Sequence, residues 1–327
     1  MKLQKEYIVL TAVVCILILI LIVTSGRNKM SYKLPRLDKI EQDSVSQLEI
    51  NTQKESISIQ RSQNEWLIMP QKYKADPNKV NEMLDVIRNL TLTELVSDKK
   101  NYSRYELDEE NRIQVKVFSE GELIREFFIG KPSSTYSHTY IRMAESSHVF
   151  HARDSFRSIF EQNVSGLRDK SVMEFLKEEI TGLILSGEFG SLEFKKQISQ
   201  FDPELKEQEE EKENEVSPSL EEVWLTQDGK NAKTSEINSI LSKLSSLNCD
   251  SYMEEQKQEK ENLDDPIYTI IAKGVKDYKL EIYAPREGEE EYPALSSEND
   301  YAFLLAERTA ESLMKKPDDI FKEESED

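Results

Sequence analysis

The chain has 327 residues, a length that predicts two folded units at about 150 residues per domain. Hydrophobic residues make up 37% of the sequence, below the roughly 45–50% of an ordinary globular domain, so one large core is not expected. The net charge of −20 repels phosphate backbones and argues against a nucleic-acid partner. Two cysteines and three histidines leave little material for a disulfide framework or a zinc cluster.

A long apolar run without charged residues occupies residues 7–23. With Thr24 and Ser25 it reaches about 19 residues, or about 28 Å of helix, close to the hydrocarbon thickness of a bilayer. A transmembrane helix is therefore predicted, with the lipid bilayer as its partner. A cleaved signal peptide is the alternative, but signal h-regions are usually about 7–15 residues long. The residues assigned to the membrane-spanning helix are Tyr7, Ile8, Leu10, Val14, Leu17, Ile20 and Val23.

The charges beside this run point in two directions. The basic cluster between Arg27 and Lys39 outnumbers Lys2 and Lys5, and the positive-inside rule alone would keep the rest of the chain in the cytoplasm. The short basic tail before a long apolar run resembles a signal anchor instead. This second reading predicts a single-pass protein of the cell membrane whose soluble part is extracytoplasmic.

Two helical patterns recur 157 positions apart. Asp76 and Pro77 supply an N-cap and a proline at the first helical position, and Thr234 or Ser235 can cap the second helix. In both segments the spacing i, i+3, i+4, i+7, i+10 forms one apolar helix face. The apolar residues are Val80, Met83, Leu84, Ile87 and Leu90 in the first helix, and Ile237, Ile240, Leu241, Leu244 and Leu247 in the second.

The strands flanking these helices also correspond. Each half has a period-two strand pair that contains a tryptophan, Trp66 or Trp224, and each half is predicted to close with a strand that runs into a helix. The matching places favour core tryptophans over a sugar-stacking platform. The residues assigned to the repeat core are Trp66, Val80, Leu84, Ile87, Trp224, Ile237, Leu241 and Leu244.

These patterns predict an α+β fold: an N-terminal transmembrane helix, then two tandem pseudo-repeats, each a mostly antiparallel sheet with covering helices. The acidic stretch DPELKEQEEEKENE is expected to be a solvated insertion in the second repeat. The expected segments are a tail and anchor at 1–26, a basic linker at 27–39, repeats at 40–172 and 173–316, the insertion at about 198–220 and an acidic disordered tail at 317–327.

Several short strings occur in a familiar order between about residues 40 and 315. The strings are the strand with Trp66, Ala75-Asp76-Pro77, Tyr105-Glu106-Leu107-Asp108, Phe128-Ile129-Gly130-Lys131, Tyr140-Ile141-Arg142 and Leu167-Arg168-Asp169-Lys170. This order resembles a bacterial domain-of-unknown-function family of membrane-anchored envelope proteins, often encoded beside ABC-transporter subunits of the gliding-motility type. The resemblance implies an auxiliary role in the envelope beside such a transporter, and it carries over no catalytic residue.

No catalytic, cofactor-binding or metal site is assigned from the sequence. Gly130-Lys131 lacks the earlier glycine of a phosphate loop. His138, His148 and His151 are interpreted as surface or turn histidines, because the odd separation of the last two places them on opposite faces of a strand. Cys249 matches an apolar position of the first repeat and is expected to be buried. Among 63 acidic residues no hydrolase carboxylate pair can be singled out.

The leading functional hypothesis is a non-enzymatic, membrane-anchored envelope protein. It would be an auxiliary or interaction subunit of an ABC-type transport or gliding-motility-like complex, with ABC-transporter membrane subunits as protein partners. The alternative is an extracytoplasmic ligand-binding or sensory module that uses the cleft between the two repeats. An extracytoplasmic hydrolase is a third hypothesis.

Overall fold

The computed structural model describes residues 7, 10, 13–19, 34–199, 221–253, 263 and 265–321. Its internal contacts divide the chain into two units, Met1–Leu167 and Arg168–Asp327. Each unit is built around one large antiparallel sheet, because the apolar residues of most strands alternate with polar ones and bury one face.

The sheet of the first unit has nine strands in the order β4-β3-β2-β1-β6-β7-β8-β9-β5. Its strands are β1 Gln47–Asn51, β2 Ser56–Ser62, β3 Glu65–Met69, β4 Tyr73–Lys74, β5 Leu92–Ser97, β6 Ile113–Ser119, β7 Glu122–Pro132, β8 His138–Met143 and β9 Val149–Arg153. Neighbouring strands in this order are antiparallel, so hairpins join most of them directly.

One long helix packs on this sheet. The side chain of Asp76 caps α2 (Pro77–Asn89) by accepting from the backbone N–H of Asn78 at 2.9 Å, and Pro77 occupies the first turn. Val80, Met83, Leu84 and Ile87 form its buried face. The other helical segments of the unit are short: the 3₁₀ turns η1 (Gln42–Ser44) and η2 (Tyr102–Tyr105), and the helices α3 (Arg157–Phe160) and α4 (Val164–Leu167).

The second unit carries an eight-stranded sheet in the order β13-β12-β11-β16-β17-β18-β19-β15, and a small sheet of β10 and β14. Its strands are β10 Ser171–Glu174, β11 Gly182–Gly187, β12 Gly190–Ser199, β13 Glu221–Thr226, β14 Ser246–Asn248, β15 Ser251–Tyr252, β16 Tyr268–Lys273, β17 Asp277–Ile282, β18 Tyr292–Ser296 and β19 Phe303–Leu305. Its helical segments are η3 (Lys177–Glu179), α5 (Thr234–Leu244), α6 (Glu307–Leu313) and α7 (Pro317–Ile320).

Helix α5 begins one residue earlier than its predicted caps allow. Lys233 is the N-cap, and its side chain makes no capping hydrogen bond. The apolar face follows the prediction, with Ile237, Ile240, Leu241 and Leu244 buried. Packing of this face, rather than capping chemistry, therefore fixes the helix.

The two large sheets repeat one strand order. If β4 is left out, the strand order of the first sheet from β3 to β5 matches the order of the second sheet from β13 to β15, strand for strand. The long helix also occupies the same place along the chain in both units. Where the first unit has β4, the second has only an isolated bridge between Leu225 and Asn231. This shared order explains why the apolar positions of the two halves correspond.

The predicted α+β fold class is wrong, since the described chain is mostly sheet with few helices. Within residues 34–321, as far as the structure describes them, only α2 and α5 exceed two turns, with 13 and 11 residues. The segments predicted to close each half with a strand that runs into a helix do so, but the helices are short: α3 has four residues and α6 has seven. Their apolar residues serve strands β9 and β19 before the helices begin, so little length remains for helix.

The predicted transmembrane helix is also corrected. In the described residues, which include the helical residues 7, 10 and 13–19 (α1), no helix is long and apolar enough to cross a membrane. Of the assigned residues, Tyr7, Leu10, Val14 and Leu17 are helical and exposed, whereas Ile8, Ile20 and Val23 lie outside the described residues.

The predicted acidic segments fall largely outside the described chain. Residues 200–220 of the insertion and residues 322–327 of the tail are not among the described residues. At the start of the predicted tail, Pro317–Ile320 forms α7, and Ile320 is buried in the core of the second unit.

Candidate functional site

The two faces of the first sheet carry different layers. Phe127 packs edge-on against Phe160 of α3, with ring centroids 6.3 Å apart, which places Phe127 on the helix-covered face. Successive residues of a strand point to opposite faces, so Phe128 belongs to the second face. There it joins a separate small core with Tyr105, Leu107 and Val149.

Gly130 allows the segment after η2 to lie directly on this second face. A Cβ atom at Gly130 would stand 2.2 Å from the carbonyl oxygen of Tyr105 and 3.0 Å from Cγ of Leu107. Real Cβ atoms essentially never come so close to a backbone oxygen. The absence of a side chain at this position therefore permits the contact that builds the second-face core.

Two arginines stack on the ring of Phe128. Cζ of Arg142 lies 4.0 Å from the ring centroid, and Cζ of Arg112 lies 4.6 Å from it. Arg142 is also 5.1 Å from the ring centroid of Tyr102, whose hydroxyl donates to the carbonyl oxygen of Ser147 at 3.0 Å. We call Tyr102, Arg112, Phe128 and Arg142 the cation–aromatic cluster. Stacking of this kind is worth about 0.5–2 kcal/mol per pair and holds a guanidinium plane in place.

Arg142 has hydrogen-bonding capacity to spare. One of its terminal N–H groups donates to the carbonyl oxygen of Ser146 at 3.3 Å, and its buried Nε has no partner among the described residues. Burial lowers the pKa of Arg142 below its ordinary value; Tyr102 and Glu126 oppose the shift, and the charge of Arg112 adds to it. The guanidinium remains charged at neutral pH, since arginine stays protonated in proteins.

A row of rings continues the second face towards β5. Tyr140 lies 4.9 Å from Tyr105 and 4.7 Å from His151, and His151 stacks on His138 at 5.2 Å, all between ring centroids. Nδ1 of His151 is 3.4 Å from a carboxylate oxygen of Glu94. Burial lowers the pKa of His151 and the charge of His138 adds to this, while the hydrogen bond to Glu94 opposes it.

Unpartnered polar atoms concentrate in this part of the molecule. Within the described chain, four buried side-chain nitrogen or oxygen atoms lack a hydrogen-bond partner, and three belong to Asp108, Arg142 and His151. The fourth is Nε1 of Trp224, in the core of the second unit. Native proteins satisfy most buried polar groups, so a local group of exceptions is typical of a functional surface.

The second unit has a cation–aromatic contact of a different kind. Cζ of Arg168 lies 3.6 Å from the ring centroid of Tyr252 and 5.0 Å from that of Tyr301. Burial raises the pKa of Tyr252 to about 12 and that of the neighbouring Cys249 to about 11, so both are protonated at neutral pH. Arg168 is only 7% exposed. This arrangement is therefore interior, whereas Arg142 is half-buried.

The residues singled out from the sequence lie mostly in the cores. All eight residues assigned to the repeat core are buried, and so is Cys249. His151 is not a surface histidine as predicted, since its side chain is only 19% exposed beneath Glu94 and Tyr140. No group of three or more metal-ligating side chains that could hold a metal ion occurs in the described ranges.

The sequence did not identify the cation–aromatic cluster as a site. A signal was present in β8, where His138, Tyr140 and Arg142 alternate with Thr139, Ile141 and Met143. Such alternation predicts two faces, but aromatic and cationic side chains on the polar face are unusual for a merely solvated surface. Three strings that carry the family resemblance, those beginning at Tyr105, Phe128 and Tyr140, meet on this face.

Comparison with known proteins gives one family and no individual relative. A family model described as "Domain of unknown function (DUF4340)" matches residues 66–266, more than half of the chain. No curated protein matches the sequence, and no solved structure matches it. The matched range includes the cation–aromatic cluster and continues through α5. The chain therefore belongs to the DUF4340 family.

Proposed function

We propose that this protein is a non-enzymatic binding subunit of a larger assembly in the cell envelope, and that it contacts its partner through the second face of the first unit. The observation that carries the proposal is the half-buried guanidinium of Arg142, stacked on two rings with donors left over. Tyrosine and arginine are enriched where proteins bind each other, because each combines apolar area with polar groups at fixed positions.

The charge of the chain supports a selective contact. A protein with a net charge of −20 repels most acidic surfaces, and its two stacked arginines form a local exception. Such a patch orients an approaching partner and favours one docking geometry over others. An ABC-type transport or gliding-motility-like complex is the proposed assembly, on the basis of the family resemblance.

Purification of the tagged full chain from detergent-solubilised membranes tests the proposed function. We expect ABC-transporter membrane subunits to co-purify at near-stoichiometric yield. Recovery of the chain without any transporter subunit would overturn the assignment. A gene neighbourhood without transporter genes would count against the same assignment before any protein is made.

The extracytoplasmic location is part of the proposal and has its own test. A reporter that is active only outside the cytoplasm is fused after residue 327 of the full chain. An active reporter, together with protease access in spheroplasts, is the expected result. A silent and protected reporter would require a cytoplasmic partner instead.

A further inference from the structure

We propose that Arg142 and Arg112 recognise a carboxylate side chain in an acidic, extended segment of the partner protein, with the cation–aromatic cluster as its docking surface. This inference rests on the proposed function and specifies the chemistry of the partner. The proposed ligand is a protein segment. Binding of free phosphate or of neutral peptides would be a different result of the test and would contradict the proposal.

Geometry makes Arg142 suited to binding a carboxylate. A guanidinium presents five N–H donors in a planar fork that matches the two oxygens of a carboxylate. Arg142 makes one hydrogen bond within the described chain, to the carbonyl oxygen of Ser146, and because its unpartnered Nε is buried, its terminal N–H groups are the donors for a partner. Phe128 and Tyr102 fix the plane of the fork, so an incoming carboxylate meets a guanidinium that is already oriented.

Arg112 supplies a second positive charge, because its guanidinium also stacks on the ring of Phe128. Its guanidinium lies 3.7 Å from a carboxylate oxygen of Glu109, but the side chain of Glu109 is 88% exposed. An exposed pair of this kind contributes little, so a partner carboxylate can displace Glu109 at small cost. Glu126 is the other acidic group that acts electrostatically on Arg142.

The apolar part of the surface favours a peptide over a small anion. Tyr102 is half-buried beside Phe128, and Tyr140 and Ala144 extend the same layer. An extended segment places alternate side chains on one side, so a carboxylate over Arg142 brings an apolar side chain within reach of Tyr102. Inorganic phosphate would gain only the charge interaction.

The test observes the arginine side chains directly. The full chain is prepared with ¹⁵N-labelled arginine, and the Nε–H signals are followed by NMR during titration with an acetylated, amidated pentapeptide of alternating glutamate and leucine. We expect the signals of Arg142 and Arg112 to shift together. The signal of Arg88, exposed on α2 of the opposite face, should stay in place.

Four variants make the outcome specific. Arg142→Gln and Arg112→Gln should each weaken peptide binding, the first by about tenfold or more because a charge-assisted bidentate contact is lost. Arg142→Lys keeps the charge but loses the fork, so it should bind more weakly than wild type and more tightly than Arg142→Gln. Arg88→Gln removes the same charge elsewhere and should bind as wild type does.

Several results would overturn the inference. Equal shifts for Arg88 and Arg142, equal binding of the glutamine–leucine counterpart, or equal shifts with inorganic phosphate alone would each contradict recognition of an acidic peptide.

The proposed function can be refuted separately from this inference. If transporter subunits co-purify equally with wild type and with Arg142→Gln, the surface is wrong and the function stands. If the peptide binds but no transporter subunit co-purifies, the carboxylate site stands and the function is wrong.

Discussion

Replacing Gly130 with alanine tests whether close backbone approach builds the second face. The added Cβ would lie 2.2 Å from the carbonyl oxygen of Tyr105, so the segment after η2 must move by about 1 Å to reach ordinary contact. Overpacking of this kind costs about 1–3 kcal/mol. If the displacement also uncovers Leu107, which is fully buried, a further 1.5–3 kcal/mol, roughly, is lost.

Urea unfolding measures this cost in the first unit. The two tryptophans lie in different units, so in a Trp224→Phe background the fluorescence of Trp66 reports the first unit alone. Gly182→Ala is the matched strand glycine of the second unit, because its added Cβ would meet Cβ of Lys273 at 3.3 Å. In a Trp66→Phe background the fluorescence of Trp224 reports this unit, and we expect a change below about 1 kcal/mol. A Gly130→Ala variant that unfolds like wild type, within about 0.5 kcal/mol, would refute the close approach.

Three further substitutions test the cores and the charged groups. Leu244→Ala should destabilise the second unit by about 2–5 kcal/mol in urea unfolding, because this side chain is fully buried on the inner face of α5. Arg125→Met should cost about 1–3 kcal/mol in the first unit, since Arg125 donates to the carbonyl oxygens of Ile87, at 2.7 Å, and Asp38; an unchanged midpoint would show that these bonds add nothing. Burial lowers the pKa of His151 below its unfolded value of 6.5, so the unfolded state binds more protons and stability falls as pH drops below about 6.5. His151→Gln should weaken this pH dependence between pH 7.5 and 5.5, roughly the range of histidine titration, while His148→Gln, at an exposed position, should retain it.

The long helices could be predicted because their signals are local. A cap residue, a proline at the first turn and an apolar face at helical spacing determine α2 almost completely. The apolar residues of α5 were predicted in the same way, and only its cap was misplaced. The closing helices α3 and α6 were predicted after their strands, but their lengths could not be predicted, because four to seven residues are too few to show a periodic pattern.

The candidate site depends on contacts that sequence spacing does not reveal. Arg112, Phe128 and Arg142 come from three strands or their ends, and only the register that pairs Phe128 with Arg142 brings them together. The role of Gly130 is likewise visible only when the segment containing Tyr105 is seen crossing it. Gly130-Lys131 resembles the end of a phosphate loop in sequence. In the structure, Gly130 instead permits close packing against Tyr105 and Leu107.

The membrane-spanning prediction shows the limit of composition. Residues 7–23 are apolar enough on a hydropathy argument, yet no helix among the described residues is long and apolar enough to cross a membrane.

Site-directed photocrosslinking in living cells tests the central claim most directly. A photoreactive amino acid replaces Glu145, which is exposed next to Ser146 beside Arg142, or Glu82, which is exposed on α2 of the opposite face. The account predicts an adduct with an ABC-transporter subunit from position 145, weakened by Arg142→Gln, and none from position 82. Equal adducts from both positions, or none from position 145 while position 82 crosslinks, would contradict it.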